Sequence, residues 1–186
     1  MNVITATLLL VHSTDEEAFW GLVAIIEHIL PEGYFTPTLL ASRADQRVLK
    51  RLVRDQCPRV HTHLSRLGVD LEAITFNWFL SCFTDCLPAE ALFRVWDVFF
   101  VEGSGYLFRV ALAVIKINEK MILGCRTGAG VYSFMKDMTT RMVPVDRLIG
   151  MSCEGLEKSV RSEVVEGMRK VEVEALRREM EELLRE

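Results

Sequence analysis

The stretch from Phe76 to Val114, FNWFLSCFTDCLPAEALFRVWDVFFVEGSGYLFRVALAV, decides the fold, because it couples apolar runs through two short turns. After Leu87-Pro88, the spacing of Leu92, Val95, Trp96 and Phe99 is the core stripe of an amphipathic helix. Glu90, Arg94 and Asp97 stand at i, i+4 and i+3 intervals on a shared polar face, which predicts a structural charge ladder. Before that turn, Asp70 is placed to cap a helix with Ile74, Trp78 and Cys82 on one face. Phe76, Phe79, Leu80 and Phe83 form another, and two apolar faces predict a central helix. Gly103-Ser104-Gly105 then turns the chain into a helix expected from Tyr106 to about Leu123.

Working outward, helical signals dominate. Ser13 or Thr14 can cap a helix whose first turn is Asp15, Glu16 and Glu17, with Ser13-x-x-Glu16 and Thr14-x-x-Glu17 both available as capping boxes. It runs to about Leu30 and stops at Pro31. Its apolar residues, Phe19, Trp20, Leu22, Val23, Ile25, Ile26 and Ile29, cover nearly the whole circumference, so the pattern predicts burial between neighbours. Trp20, Trp78 and Trp96 are all expected in the interior. Thr36-Pro37 reads as a helix start with proline at the first position, followed by a stripe of Val48, Leu49, Leu52 and Val53 to Cys57. Pro58 begins a short helix ending near Gly68. The glycines Gly124, Gly128 and Gly130 precede two more short helices, about Val131 to Arg141 and Val145 to Met151. With no persistent strand-like alternation and no repeat of fixed period, the expected class is all-α.

From about Ser159 the sequence becomes a charged helix former carrying Val164, Met168, Val171, Ala175, Leu176, Met180 and Leu183. The heptad register drifts over barely three heptads, which favours an amphipathic helix docked on its own domain or fraying over a coiled-coil seam.

At 186 residues, 50% hydrophobic and 26% charged, the chain suits a soluble cytosolic globular domain with material for one core. Its formal net charge of -4 argues against general nucleic-acid binding, which needs a dominant basic surface. The five cysteines form an odd set in mostly apolar helical sequence and read as buried reduced thiols. Met1 to Val11 has the length of a signal-peptide core but lacks a basic leader and a cleavage site. The longest apolar run, Tyr106 to Ile117, carries Arg109 and falls short of the roughly 20 residues a membrane span takes.

Several constellations invite chemistry and fall short of it. Cys57, His61 and His63 lack a fourth metal ligand at a recognisable spacing. Cys82 and Cys86 are one residue too far apart for a redox C-x-x-C motif. The glycines at 103–105 and 124–130 lack the strand and the Lys-Ser/Thr of a phosphate loop. Arg43, Arg47, Lys50, Arg51, Arg54, Arg59 and Arg66 stand against Asp45 and Asp55, an excess of about five positive charges. That run suits an acidic partner, an anionic membrane, or simply the solvated face of a helix.

RVWDVFFVEG in the opening stretch, the beginning MNVITATLLLV and the following EEAFWGLVAIIEHILPEGYF together resemble the TBC domain, the GTPase-activating module for Rab-type small GTPases. The resemblance covers roughly Met1 to Gly150. It implies a partial TBC domain at residues 1–150 and a charged C-terminal helical extension at 151–186. The family reads much like Tyr-Cys-Gln-Gly-Met-Asn where this chain begins Met1-Asn2, so the resemblance implies a start just after the catalytic glutamine, without the N-terminal helices. That in turn implies uncovered apolar surface on Met1 to Val11 and Asp15 to Leu30, against the burial that the helical pattern alone predicts.

In the family that this chain resembles, an arginine from an Ile-x-x-Asp-x-x-Arg motif neutralises transition-state charge on the phosphates, and a glutamine from a Tyr-x-Gln motif orients the attacking water. Such an arginine is worth about 10³ to 10⁵ in rate. Neither motif occurs in this sequence, and Arg43, Arg94 and Arg109 do not stand in the finger motif. The resemblance therefore implies a regulator of an enzyme, with no catalytic, cofactor-binding or metal-binding residue of its own and no cofactor. The implied partner is a GTP-bound Rab-type GTPase of vesicle trafficking, met in the cytoplasm with peripheral attachment to endomembranes. The alternative from another class is a non-catalytic helical interaction module. A metal or redox enzyme would need a bound ion or a reactive thiol.

Overall fold

The computed structural model describes residues 2–137 and 144–185. Every regular element among them is helical: α1 (Asn2–Val11), α2 (Asp15–Val23), a π-helical segment (Ala24–Ile29), α3 (Leu40–Gln56), α4 (Pro58–Arg66), α5 (Glu72–Leu80), α6 (Ala89–Glu102), α7 (Gly105–Ile117), α8 (Glu119–Gly124), α9 (Gly128–Asp137), α10 (Val145–Gly150), a second π-helical segment (Met151–Gly155) and α11 (Ser162–Leu183). The all-α expectation holds.

The centre of the array is α7 rather than α5. From Gly105 to Ile115 every residue of α7 is buried, and α3, α5, α6, α8, α10 and α11 all pack on it. A helix apolar around its whole circumference has to be enclosed in this way. In α5 only Thr75, Trp78 and Phe79 are buried, because Glu72, Ala73 and Asn77 put one side in solvent. Phe79 meets Phe108 of α7 edge to face, with ring centroids 4.9 Å apart. The buried charge of α7, Arg109, pairs with Glu102 and lies over the Tyr106 ring at 5.0 Å, so it enters the interior already compensated.

Two glycines make the entry to α7 possible. Gly103 adopts φ 81, where a side chain would be strained. At Gly105 a Cβ would stand 2.6 Å from Ser162 Oγ and 3.0 Å from Ser162 Cα, so only a glycine lets the start of α7 approach the start of α11 this closely. The helix expected to reach Leu123 breaks at Asn118, whose side-chain amide donates to Val114 O at 2.8 Å and competes with the helical bond. Other boundaries shift too. Thr36-Pro37 lies in a turn, and α3 starts at Leu40 after Leu39 takes a left-handed conformation with φ 49. Pro58 opens α4 as expected, whereas the N-cap of α5 is Leu71 and Asp70, one residue further out, accepts from Glu72 N through Oδ1. The helix expected at Val131–Arg141 begins at Gly128, and its end at Arg141 lies outside the described residues.

The turn between α5 and α6 is held by the tryptophan of RVWD. Cys82 and Phe83 are consecutive non-glycine residues in the left-handed region, with φ 47 and 67. Phe83 N reaches back to Trp78 O at 2.7 Å and closes the end of α5. Trp96 Nε1 donates to the Cys82 carbonyl at 2.9 Å, so a buried indole both fills the core and ties down the strained turn. Leu92, Val95, Trp96 and Phe99 are buried as the stripe predicts. The charge ladder of α6 is not formed: Arg94 turns to Asp146 of α10 at 3.7 Å, across the packing of α6 on α10. Trp96→Ala is therefore expected to cost about 3 to 5 kcal/mol, against less than about 1 kcal/mol for the exposed Glu90→Ala. Equal urea midpoints for the two variants would refute this account.

Candidate functional site

The entry to α2 is fixed locally. Thr14 Oγ1 accepts from Glu17 N at 3.2 Å while Glu17 Oε2 accepts from Thr14 N at 3.3 Å, which closes the second of the two available capping boxes. The helix then widens into the π-helical segment, where Leu30 N bonds Ile25 O at 2.9 Å. Such segments recur at functional sites because they re-aim the side chains that follow. Here His28 and Ile29 form one wall of a cleft of about 900 Å³. Residues 30–33 and the start of α3 form its base, and Glu166, Lys170 and Arg177 of α11 form the opposite wall.

The other side of α2 is open. Trp20 is 59% exposed and Phe19 57%, contrary to the burial predicted from the helical pattern. They stack on each other edge to face at 5.3 Å. The helix α1, packed on α2, buries Ile4 and Leu8 and leaves Leu10 at 84% exposure, with Leu9 and Val11 also outward. Only the face of α2 carrying Ala18 is enclosed, because its packing partners among the described residues are α1 and the π-helical segment. The uncovered apolar surface that the resemblance implied on these two segments is thus present.

The cleft's far wall is held by a buried ionic network. Asp45 of α3 is 1% exposed. It accepts from Arg169 Nε at 2.5 Å, from Arg169 Nη2 at 3.1 Å and from the Tyr34 hydroxyl at 3.1 Å. Burial pushes the Asp45 carboxyl up against the opposing pull of Arg169, and pushes the Tyr34 phenol well above its ordinary value. Around this centre Arg47 grips Glu179 with two hydrogen bonds of 2.8 and 2.7 Å, which holds Glu179 below the usual carboxylate range. Arg51 bonds Glu172 at 2.9 Å.

Much of the basic run of α3 thus meets an acidic partner within the same chain. The tail docks on its own domain, burying Val165 and Leu176 as well as Arg169. Within the last turn of α3, Arg54 pairs with Asp55, and beyond α3 Arg59 pairs with Glu119. The network was visible in outline, since Asp45 falls three and four residues before Val48 and Leu49 on the apolar stripe. A carboxylate in that position requires a cation from elsewhere.

The remaining constellations separate. His63 is engaged at both ring nitrogens, by Cys125 O at 2.9 Å and Arg66 Nη2 at 3.0 Å, while Cys57 is buried. Burial raises the thiol of Cys57 to about 11 and that of Cys82 to about 12, and raises Cys86 well above its ordinary value. Cys125 and Cys153 are only half-buried, which departs from the expectation of five buried thiols. Arg109 is held inside by Glu102 and Arg94 faces Asp146, so neither projects freely.

The family model described as the Rab-GTPase-TBC domain matches residues 1–123. The chain belongs to this TBC family. A TBC domain-containing protein of Schizosaccharomyces pombe is 43% identical over 176 residues, 95% of this chain and 23% of its own length. TBC1 domain family member 2A of Homo sapiens is 40% identical over 183 residues, 98% of this chain and 20% of its own. The chain therefore spans about a fifth of the length of these curated relatives. Among solved structures, the Chlamydomonas flagellar RabGAP TBC domain superposes with a TM-score of 0.75 at 31% identity, covering 84% of this chain and 52% of that one. The TBC match extends from α1 through most of α8, whereas α9 to α11 lie beyond the matched residues.

Two outcomes follow for this TBC chain. Asp45→Ala or Arg169→Ala leaves the partner charge buried and is expected to cost about 3 to 5 kcal/mol, against about 1 kcal/mol or less for the more exposed Arg51→Ala. Chemical denaturation checks the ranking, and equal losses would contradict it. Under native conditions at pH 8, a thiol reagent should modify Cys125 and Cys153 rapidly and the other three only after denaturant is added. Fast native labelling of Cys82, located by peptide mapping, would show that its burial is wrong.

Proposed function

We propose that this chain is the C-terminal part of a GTPase-activating domain for Rab-type small GTPases, contributing scaffold and part of the groove that faces the GTP-bound partner. The family match over residues 1–123, joined to the shared fold, is the observation that carries this reading. In it the chain acts as a regulator of an enzyme. Residues 1–150 form the TBC portion and 151–186 a helical extension, and the setting is the cytoplasmic side of endomembranes in vesicle trafficking. No helix among the described residues is long and apolar enough to cross a membrane.

The chemistry sets a limit on the isolated chain. Acceleration of GTP hydrolysis depends on groups placed at the transition state, a cation on the phosphates and a donor that orients water. Its sequence holds neither Ile-x-x-Asp-x-x-Arg nor Tyr-x-Gln. The 186 residues alone are therefore expected to be inactive. A second reading, a non-catalytic interaction module, is favoured by the open apolar edge of Phe19, Trp20 and Leu10, which suits a protein contact.

Single-turnover phosphate release over a panel of GTP-loaded Rab-type GTPases separates these readings. The chain alone should leave the intrinsic rate unchanged, and a longer form of the protein carrying both finger motifs should accelerate at least one GTPase by about 10³-fold or more. Acceleration by the 186 residues alone would overturn the inactive assignment. A longer form that binds GTPases without accelerating any would support the interaction module.

A further inference from the structure

On the side formed by α4, the end of α7, α8 and α10, two open depressions of about 520 and 590 Å³ share Arg59 and Leu123 and so form one continuous shelf. Arg59, Arg66, Lys116, Lys120 and Arg147 line it, against the single carboxylate Glu119. This concentration stands out on a chain whose formal net charge is -4. Helices separated in sequence build the shelf, so it is not the solvated face of one amphipathic helix. On α3, Arg47 and Arg51 have their counter-charges in α11. Here the only ion pair among the described residues joins Arg59 to Glu119 at 3.6 Å, with the Arg59 side chain still 78% exposed. Arg66, Lys120 and Arg147 are exposed, and Lys116 is half-buried. The nearby carboxylate of Asp146 faces Arg94 on α6.

We propose that this shelf binds an anionic membrane surface through its lipid phosphates, a contact independent of the GTPase reading. Lys and Arg side chains held near an anionic bilayer each gain about 1 kcal/mol, or about fivefold in partitioning. Half-buried Ile117 and Leu123 lie between the cations, and Met121 of the same short helix is 54% exposed, giving the mixture of basic and apolar groups that suits a headgroup layer. The lining holds no Phe, Tyr or Trp, and the ring of His63 is tied at both nitrogens, so it offers no row of stacking platforms of the kind that single-stranded nucleic acid uses.

The test is co-sedimentation of the 186-residue chain with vesicles of phosphatidylcholine alone, of phosphatidylcholine with phosphatidylserine, and of phosphatidylcholine with a phosphoinositide. Neutral vesicles register any contribution from the open α1–α2 edge. Anionic vesicles should bind more strongly, and the triple variant Lys116→Gln/Lys120→Gln/Arg147→Gln should lose about a hundredfold of that extra partitioning. The variant Lys158→Gln/Arg178→Gln/Arg185→Gln removes the same charge at exposed positions elsewhere and should bind like the parent chain. Circular dichroism checks that both variants keep their helices. Raising the salt from 0.1 to 0.5 M should release the parent protein. Equal effects in the two anionic sets identify general lipid charge, while a gain confined to the phosphoinositide set identifies its phosphorylated headgroup. Free inositol phosphate competing away the second but not the first separates a soluble phosphate ligand from a surface. Equal binding to neutral and anionic vesicles, or equal losses in the two triple variants, would overturn the proposal. Capture of polyglutamate with no gain on anionic vesicles would assign the shelf to an acidic protein instead.

Discussion

A carboxylate enclosed in the interior of α3 has to be answered by a cation, and in this chain the cation comes from 124 positions further along. An unpaired charge at that depth costs several kcal/mol, more than any exposed ion pair returns. The Asp45–Arg169 contact therefore sets where α11 lies, and with it the arrangement of the pairs that Arg47 and Arg51 make. Tyr34 belongs to the same constraint: its hydroxyl donates to Asp45 and its carbonyl accepts from Ser42, so the irregular segment after the π-helical turn is anchored to α3. A tail that composition alone marks as an appendage is thereby part of the wall of the 900 Å³ cleft.

The legible parts of this architecture are those governed by local rules. The capping box of α2, the proline at the start of α4, the core stripe of α6 and the Gly-Ser-Gly turn depend on neighbours a few residues apart, and each stands where its pattern places it. What escaped the pattern was decided across the fold. The expected burial of Trp20 failed because apolar periodicity reports a capacity to be buried and cannot supply the surface that does the burying. The choice of α7 over α5 as the central helix turned on Arg109, whose charge argues against a core position until Glu102 is seen beside it. The ladder on α6 dissolved because Asp146, about fifty positions away, offers Arg94 a partner across a helix interface.

Of the candidate site, the absence of both finger motifs was legible because it is a property of the sequence itself. The paired tail was legible only in part. Its composition announced an amphipathic helix, and an acidic partner was one of three readings the basic run on α3 allowed, yet nothing local joined the two. The shelf of Arg59, Arg66, Lys116, Lys120 and Arg147 was further from reach, since its members come from separate helices and only two of them stood in the basic run. Pattern reading follows one element at a time, while an electrostatic surface is assembled by tertiary packing.

The arginines of this chain bear on the proposed function in the same terms. An arginine that serves a transition state has to be available when the phosphates develop charge, preorganised toward a position outside its own domain. Arg109 and Arg169 are themselves buried and committed to Glu102 and Asp45, and withdrawing Arg169 would leave a buried acid. Arg47 and Arg51 hold α11, and Arg94 spans α6 to α10. Each of these cations stabilises a helix junction, so diverting one to a bound nucleotide would cost the junction it maintains. Under the proposed reading the two groups that touch the nucleotide lie outside these residues, and the role left to this part of the domain is rigidity: a helical body, closed around α7 and locked by α11, against which a partner can be held in register.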